Sequence, residues 1–236
     1  MSAALDAAVE FEALYVDSGE RHNAEVSALS ERASGKGVRV FALESGVLEK
    51  VADAKTPQPV LAVVRFEVVD IHRLTVDGLT LVVHEMRDPG NAGTIIRSAD
   101  AAGVSAVVFT GQSVDPFNPK TLRATAGSIF RIPVAVGSLN EALDHFVKGG
   151  ARTFATVVRD GTSHRMIDFT GATAVVIGNE AEGLDVAAVA LCQHAITIHM
   201  TGQSESLNAG VAASLIAFEA MHQRQDTMTS SLRPSL

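Results

Sequence analysis

The stretch I-T-I-H-M-T-G-Q-S-E-S-L-N-A-G-V-A-A-S-L-I-A-F-E, residues 196–219, decides how the chain is read. A β-type run over 195–200 gives way to a polar turn at 201–205. A helix of small residues is predicted beyond it, over 206–221. Ser204, Ser206 and Asn208 gather where apolar strand meets apolar helix. A purely structural link needs one side-chain oxygen there to cap the exposed first-turn amides. Ser206 as the cap, with Asn208 on the next amides, explains part of the cluster. The surplus of polar groups between two apolar elements marks a candidate site.

Working outward, strands are predicted at 79–84, 105–110, 132–136, 153–158, 173–177 and 195–199. Helices are predicted between them at 91–102, 119–126, 139–148, 185–190 and 206–221. This alternation implies an α/β fold with a mostly parallel sheet and helices on both faces. Continuous apolar runs such as Ala174-Val175-Val176-Ile177 suit strands buried on both sides. Ahead of this region, residues 1–70 form a smaller α/β unit. It has a helix closing over 5–9, strands at 11–16, 38–42 and 60–64, and helices at 22–33 and 45–52. It opens in helix-like material with no first strand, so a leading segment is expected to be absent. Thr56-Pro57-Gln58-Pro59 breaks the pattern, and Asp77-Gly78 signals a turn, which puts the domain boundary between about 68 and 78. The larger domain is expected to span 75–224, and the Ser/Thr/Pro-rich residues 225–236 are expected to be disordered.

The chain has 236 residues, 47% of them apolar and 19% charged, a globular balance. No apolar run approaches the roughly 20 residues that a membrane-spanning helix needs, and no signal-peptide pattern opens the chain. A single cysteine, Cys192, forms no internal disulfide, which points to a reducing, cytoplasmic setting. No Cys/His set has metal-ligand spacing, and His194 and His199 read as polar strand-edge residues. The net charge of −8 weighs against nucleic acid unless a local basic stripe exists.

In α/β sheets ligands lie beyond the carboxyl ends of the strands. Three loops stand out there. The first, E-M-R-D-P-G-N-A-G-T-I-I-R over 85–97, has a tight turn at Asp88-Pro89-Gly90 and Asn91 as a plausible helix cap. Gly93 and Arg97 share a helix face, and the glycine is expected to leave open space beside the guanidinium. A surface arginine on an amphipathic helix explains Arg97 equally well. The second loop, G-N-E-A-E-G-L over 178–184, brackets two carboxylates with glycines. Gly178 is expected to let backbone approach a ligand, and Gly183 to permit a tight turn. Glu180 and Glu182 fit acid/base groups, ligand contacts or helix-end charges. The third loop is the opening stretch. The glycine fingerprints of dinucleotide binding and of the phosphate loop are missing, as is the nucleophile elbow of α/β-hydrolases.

Taken in order and spacing, D-P-G-N-A-G-T-I-I-R, G-N-E-A-E-G-L and I-H-M-T-G-Q-S-E-S-L-N-A-G-V-A-A resemble the three motifs of the SpoU (TrmH-type) group of SPOUT RNA methyltransferases, over roughly 79–221. The first unit, ending T-P-Q-P-V-L-A-V-V, is similar to the ribosomal-protein-L30-like RNA-binding domain of many members. The resemblance implies a C-terminal trefoil knot, against the general rule that chains are unknotted. It also implies S-adenosylmethionine as cofactor, a homodimer with each site completed across the interface, and methyl transfer to a ribose 2′-hydroxyl of RNA. The L30-like unit favours ribosomal RNA (23S) over tRNA, and some relatives confer antibiotic resistance. A non-catalytic RNA-binding or ribosome-assembly module with the same fold is the alternative.

Carried over by position, Gly178, Asn179, Ile198, Met200 and Leu207 are the implied cofactor contacts. Arg97, Asn91, Glu180, Ser206 and Asn208 form the implied catalytic group. An arginine is a poor base because its pKa lies above about 12. Arg97 therefore suits holding an RNA phosphate and polarising the hydroxyl. The chain departs from the family pattern at His199, where proline is usual, at Ala181, where glycine is usual, and at Gly210, often serine. Arg87, Lys120, Arg123 and Arg131 supply the basic stripe expected to track RNA phosphates. Reversing charge at Lys120 and Arg123 (K120E with R123E) is expected to weaken RNA binding and flatten its salt dependence; an unchanged salt slope would put the track elsewhere.

Overall fold

The computed structural model describes residues 1–7, 9–51 and 58–231, in two compact units, Met1–Glu67 and Val68–Leu236. Thr56-Pro57 of the expected break lies outside the described residues, as does 232–236 of the expected tail. The second unit begins at Val68, at the edge of the boundary expected from the turn signals. Its first residues already belong to the large sheet, where the amide of Val69 donates to the Val134 carbonyl at 2.9 Å.

The first unit runs α1 (Ser2–Asp6), β1 (Glu10–Asp17), α2 (Ala24–Gly35), β2 (Val40–Leu43), α3 (Val47–Val51) and β3 (Val60–Arg65). β1 is central, parallel to β2 and antiparallel to β3. Leu14 and Val16 of β1 pack with Leu5, Val26 and Ala33 of the helices. Asn23 caps α2 by accepting from the Glu25 amide at 3.0 Å.

The second unit holds β4 (Leu79–His84), α4 (Pro89–Ala101), β5 (Ala106–Thr110), α5 (Pro119–Ala124), β6 (Val134–Gly137), α6 (Leu139–Lys148), β7 (Arg152–Thr156), β8 (Thr162–Ser163), β9 (Thr173–Ile177), α7 (Val186–Ala190), β10 (His194–Thr197) and α8 (Ala209–Ser231). Its seven strands lie in the order β6-β5-β4-β9-β7-β10-β8, and every pairing is parallel. β4, β5 and β9 are buried on both faces, apart from half-buried His84 at the end of β4, as their continuous apolar runs require. The chain starts at β4, builds outward through β5 to β6, and returns to place β9 on the other flank of β4. That reversal makes β4/β9 a topological switch point, where the loops leaving adjacent strands diverge and open a crevice.

Three local readings change. α4 is capped by Asp88, whose Oδ1 accepts from the Asn91 amide at 2.7 Å, and Pro89 stands in its first turn. Proline is pre-set for that position because the amide it lacks has no intrahelical partner. Asn91 is therefore inside the helix, with its side chain released for other bonds. Gly93 does not leave open space: a Cβ there would lie 2.3 Å from Ala124 Cβ and 2.9 Å from the Thr121 carbonyl oxygen. The glycine lets α5 sit directly on α4. Finally, α8 continues to Ser231, so residues 225–231 are helical where disorder was expected. Gln223 donates to the Ile167 carbonyl at 3.0 Å and accepts from the Phe169 amide at 2.8 Å. Arg224 donates to the Phe169 carbonyl at 2.8 Å. These anchors fix the last turns, and no helix breaker intervenes before Pro234.

Gly93→Ala should destabilise the protein by about 1–3 kcal/mol, the usual range for forcing a methyl into a packed contact. Denaturant unfolding measures this, and an unchanged midpoint would mean that α5 moves away freely.

Candidate active site

The loop after β4 and the loop after β9 meet at the switch point. Glu180 Oε1 accepts from the Asp88 amide at 3.2 Å and from Asn91 Nδ2 at 2.9 Å. The third segment joins them through Asn208, whose Nδ2 donates to Asn91 Oδ1 at 2.8 Å. Asn208 is oriented in turn by α8, because its Oδ1 accepts from the Val211 amide at 3.2 Å. It is thus Asn208, not Ser206, that caps the helix, which begins at Ala209. The amide orientations are forced along the chain. A helix N-terminus can only donate, so Asn208 turns its oxygen inward and its nitrogen toward Asn91. Asn91 then turns its own nitrogen toward the carboxylate.

The 178–183 loop is shaped by its own residues. Asn179 Oδ1 accepts from the amides of Ala181 at 2.9 Å and Glu182 at 2.8 Å. Gly183 has φ +71°, a conformation that side chains rarely adopt. A Cβ at Gly178 would sit 2.3 Å from the Gly183 carbonyl carbon. Gly178 therefore makes room for its own loop to close, where the sequence suggested room for a ligand.

This loop separates two cavities. On one side lies a cavity of about 180 Å³, with apolar walls from Val157, Val158, Ile177, Ile196 and Ala212. Gly178, Asn179, Ile198, Met200, Ser206 and Leu207 all line it. On the other side an open pocket of about 650 Å³ is lined by Arg87, Asp88, Asn91, Glu182 and Asn208. Asn179, Glu180, Ala181 and Glu182 line both. Gly210 is explained here as well: a Cβ would meet Asn208 Oδ1 and Thr94 Cγ2, both at 3.2 Å.

Not every expected residue joins the cluster. Arg97 is exposed on α4 and makes no hydrogen bond or ion pair with the described residues. It stands six positions beyond Asn91 on the helix, well around from the Asn91 face. Lys120 and Arg123 are exposed on α5. Arg131 is engaged elsewhere, its Nε donating to Asp100 Oδ2 at 2.9 Å, so it is a poorer phosphate ligand than its three companions. Among the contributors that escaped the sequence reading are Asp88, Val157 and Val158. The Asp-Pro step opening a helix is a legible cap signal for the first; the other two look like ordinary strand-end valines. Cys192 is outside both cavities, and burial pushes its thiol up to about 11, which makes it inert. Among the described residues no group of His, Cys, Asp and Glu is arranged to hold a metal ion, and no helix is long and apolar enough to cross a membrane.

A narrow apolar cavity and an open polar one thus share a wall at a parallel-sheet switch point, the place where such sheets bind their ligands. Residues 78–218 match the SpoU rRNA Methylase family, and residues 2–67 match the family described as RNA 2′-O ribose methyltransferase substrate binding. The chain belongs to the SpoU rRNA methylase family and is an RNA ribose 2′-O-methyltransferase. It is 34% identical to the 23S rRNA (guanosine(2553)-2′-O)-methyltransferase RlmP of Bacillus subtilis, over 77% of this chain and 72% of that one. It is 37% identical to the 23S rRNA (uridine(2479)-2′-O)-methyltransferase of Streptomyces viridochromogenes, over 75% of this chain and 64% of the relative. Among solved structures it resembles the SpoU methyltransferase AviRb from Streptomyces viridochromogenes in complex with the cofactor AdoMet. The TM-score is 0.83 at 30% identity, covering 95% of this chain and 87% of that one.

Proposed function

We propose that this chain transfers the methyl group of S-adenosylmethionine to a ribose 2′-hydroxyl of 23S ribosomal RNA, working as a homodimer. The observation that carries the reading is the shared wall. Asn179, Glu180, Ala181 and Glu182 border both the apolar cavity and the open pocket, so donor and acceptor approach each other across a single loop.

The cavity suits this cofactor. Its walls are apolar for an adenosine, and the charged side chains that line it among the described residues are the carboxylates Glu180 and Glu182. That charge favours a cationic sulfonium and opposes phosphorylated cofactors such as nicotinamide dinucleotides. Gly178, Asn179, Ile198, Met200 and Leu207 would hold it, with the chain between β10 and α8 threading the trefoil knot. When bound, the cofactor supplies a methyl group activated by its positive sulfur.

The protein's own part is positioning. Asn91 and Asn208 are locked by Glu180 and the α8 N-terminus, so a hydroxyl entering the open pocket meets amides that are already oriented. Asp88, Glu180 and Glu182 make that pocket acidic, with Arg87 its cation. It therefore takes the ribose and leaves the phosphates to Arg87, Lys120 and Arg123. Arg97 is the piece that one subunit does not bring to the cluster, and the partner subunit's Arg97 completes each site, holding a phosphate and polarising the hydroxyl. An exposed apolar stripe supports the dimer: Val211, Leu215 and Phe218 lie along one side of α8, at 46%, 43% and 38% exposure.

Methyl-labelled cofactor incubated with 23S rRNA and with tRNA from cells lacking the gene tests the reading. Label should enter 23S rRNA at one ribose, and Arg97→Ala should lower the rate about 10²–10³-fold, as loss of a charge-stabilising donor does. Label in tRNA alone would move the substrate, and no label in either RNA would remove the enzymatic reading.

A further inference from the structure

Among the described residues, eight buried side chains are polar, and Thr197 at 3% exposure is one of them. It ends β10, at the entrance to the segment carrying Ile198 and Met200 into the apolar cavity. β10 is flanked by β7 on one side and by β8 on the other. The chain from 157 to 161 must therefore cross β10 to pass from one flank to the other. The Val157 amide donates to the Ile196 carbonyl at 2.9 Å as the crossing begins. Thr162 and Ser163 pair with Ile196 and Thr197 as it ends.

The crossing is fastened by one hydroxyl. Thr197 Oγ1 donates to the Val157 carbonyl at 3.1 Å and accepts from the Gly161 amide at 3.0 Å, so it ties both ends of the turn to β10. The contact is too close for any other side chain. A Cβ at Gly161 would lie 2.6 Å from Thr197 Oγ1 and 2.8 Å from the Ile196 carbonyl carbon. Asp160, just before it, has φ +64°, a conformation uncommon for a residue with a side chain. Strain of this kind persists only where surrounding contacts hold it. Val157 and Val158, the first residues of the crossing, are walls of the apolar cavity.

We propose that Thr197 is a positioning residue for the methyl donor: its buried hydroxyl, clasping Val157 and Gly161, sets where the Val157–Val158 wall stands. This rests on the reading of that cavity as the S-adenosylmethionine site. Thr197 touches neither substrate nor the transferred methyl. It acts through the wall, so its removal shows in donor affinity and not in the chemical step. The three motifs do not signal this role, since Thr197 stands in the opening stretch just before the third motif and Gly161 lies in none.

Thr197→Val keeps the shape and strands one amide and one carbonyl. It should raise the dissociation constant for S-adenosylhomocysteine, measured by calorimetry, and the KM for S-adenosylmethionine, each about tenfold, the scale of a lost buried hydrogen bond. The turnover number at saturating donor should stay within about twofold, since the acceptor cluster is untouched. Thr197→Ser, which keeps the hydroxyl, should restore the affinity. Gly161→Ala, which forces the clasp apart from the other side, should reproduce the loss. Wild-type affinity in Thr197→Val, even with a lowered melting temperature, would reduce Thr197 to a structural residue and overturn the proposal. Failure of the wild-type protein itself to bind S-adenosylhomocysteine would instead remove the cofactor reading on which the proposal stands.

Discussion

The hydrogen-bond chain from the α8 N-terminus through Asn208 and Asn91 to Glu180 is the constraint on which the site depends. Its links join residues 117 and 89 positions apart, so only the completed fold assembles it. Its direction comes from the backbone. The first amides of α8 can only donate, and each amide side chain after them has one orientation that satisfies its neighbours. The chain ends on a carboxylate, which also takes the amide of Asp88, the residue that caps α4. Two helix starts and one strand-end loop are thereby held together by four side chains, with the open pocket on their exposed face.

The sheet makes this meeting possible. With β4 and β9 adjacent and parallel, their following loops leave the same edge of the sheet. Gly178 and Gly183 then let the second loop fold back on itself, with Asn179 bonding across it. The resulting wall serves two cavities of different character. Acidity at this wall is consistent with an RNA-directed enzyme of net charge −8. In the proposed reading, negative charge stands where a cationic donor and a neutral ribose would come together, and the exposed cations Arg87, Lys120 and Arg123 are left for the phosphates. Local arrangement decides binding, and overall charge does not.

Much of the larger unit was legible because buried parallel strands write themselves as apolar runs and their loops as polar punctuation. The strands at 79–84 and 173–177 were read to the residue. The candidate residues of the second and third loops also lie together in space, because strand-end loops share an edge. What was not legible depended on partners distant in sequence. Gly93 serves α5, thirty residues on. Arg131 is taken by Asp100. Residues 225–231 are helical because Gln223 and Arg224 find Ile167 and Phe169. β8 is two residues long and exists only because the 157–161 crossing delivers it to β10. Asp88 and Asn91 both have capping side chains, and Pro89 between them selects Asp88. Arg97 sits on the expected helix, yet it stands apart from the cluster.

The most direct test of this account is a double-mutant cycle on Asn91→Ala and Asn208→Ala, read as the rate of methyl transfer to RNA at saturating cofactor. If the two amides act as one locked unit, the second substitution should cost little once the first is made, and the double variant should resemble either single one. Independent effects, in which the two losses multiply, would contradict a site organised by this chain.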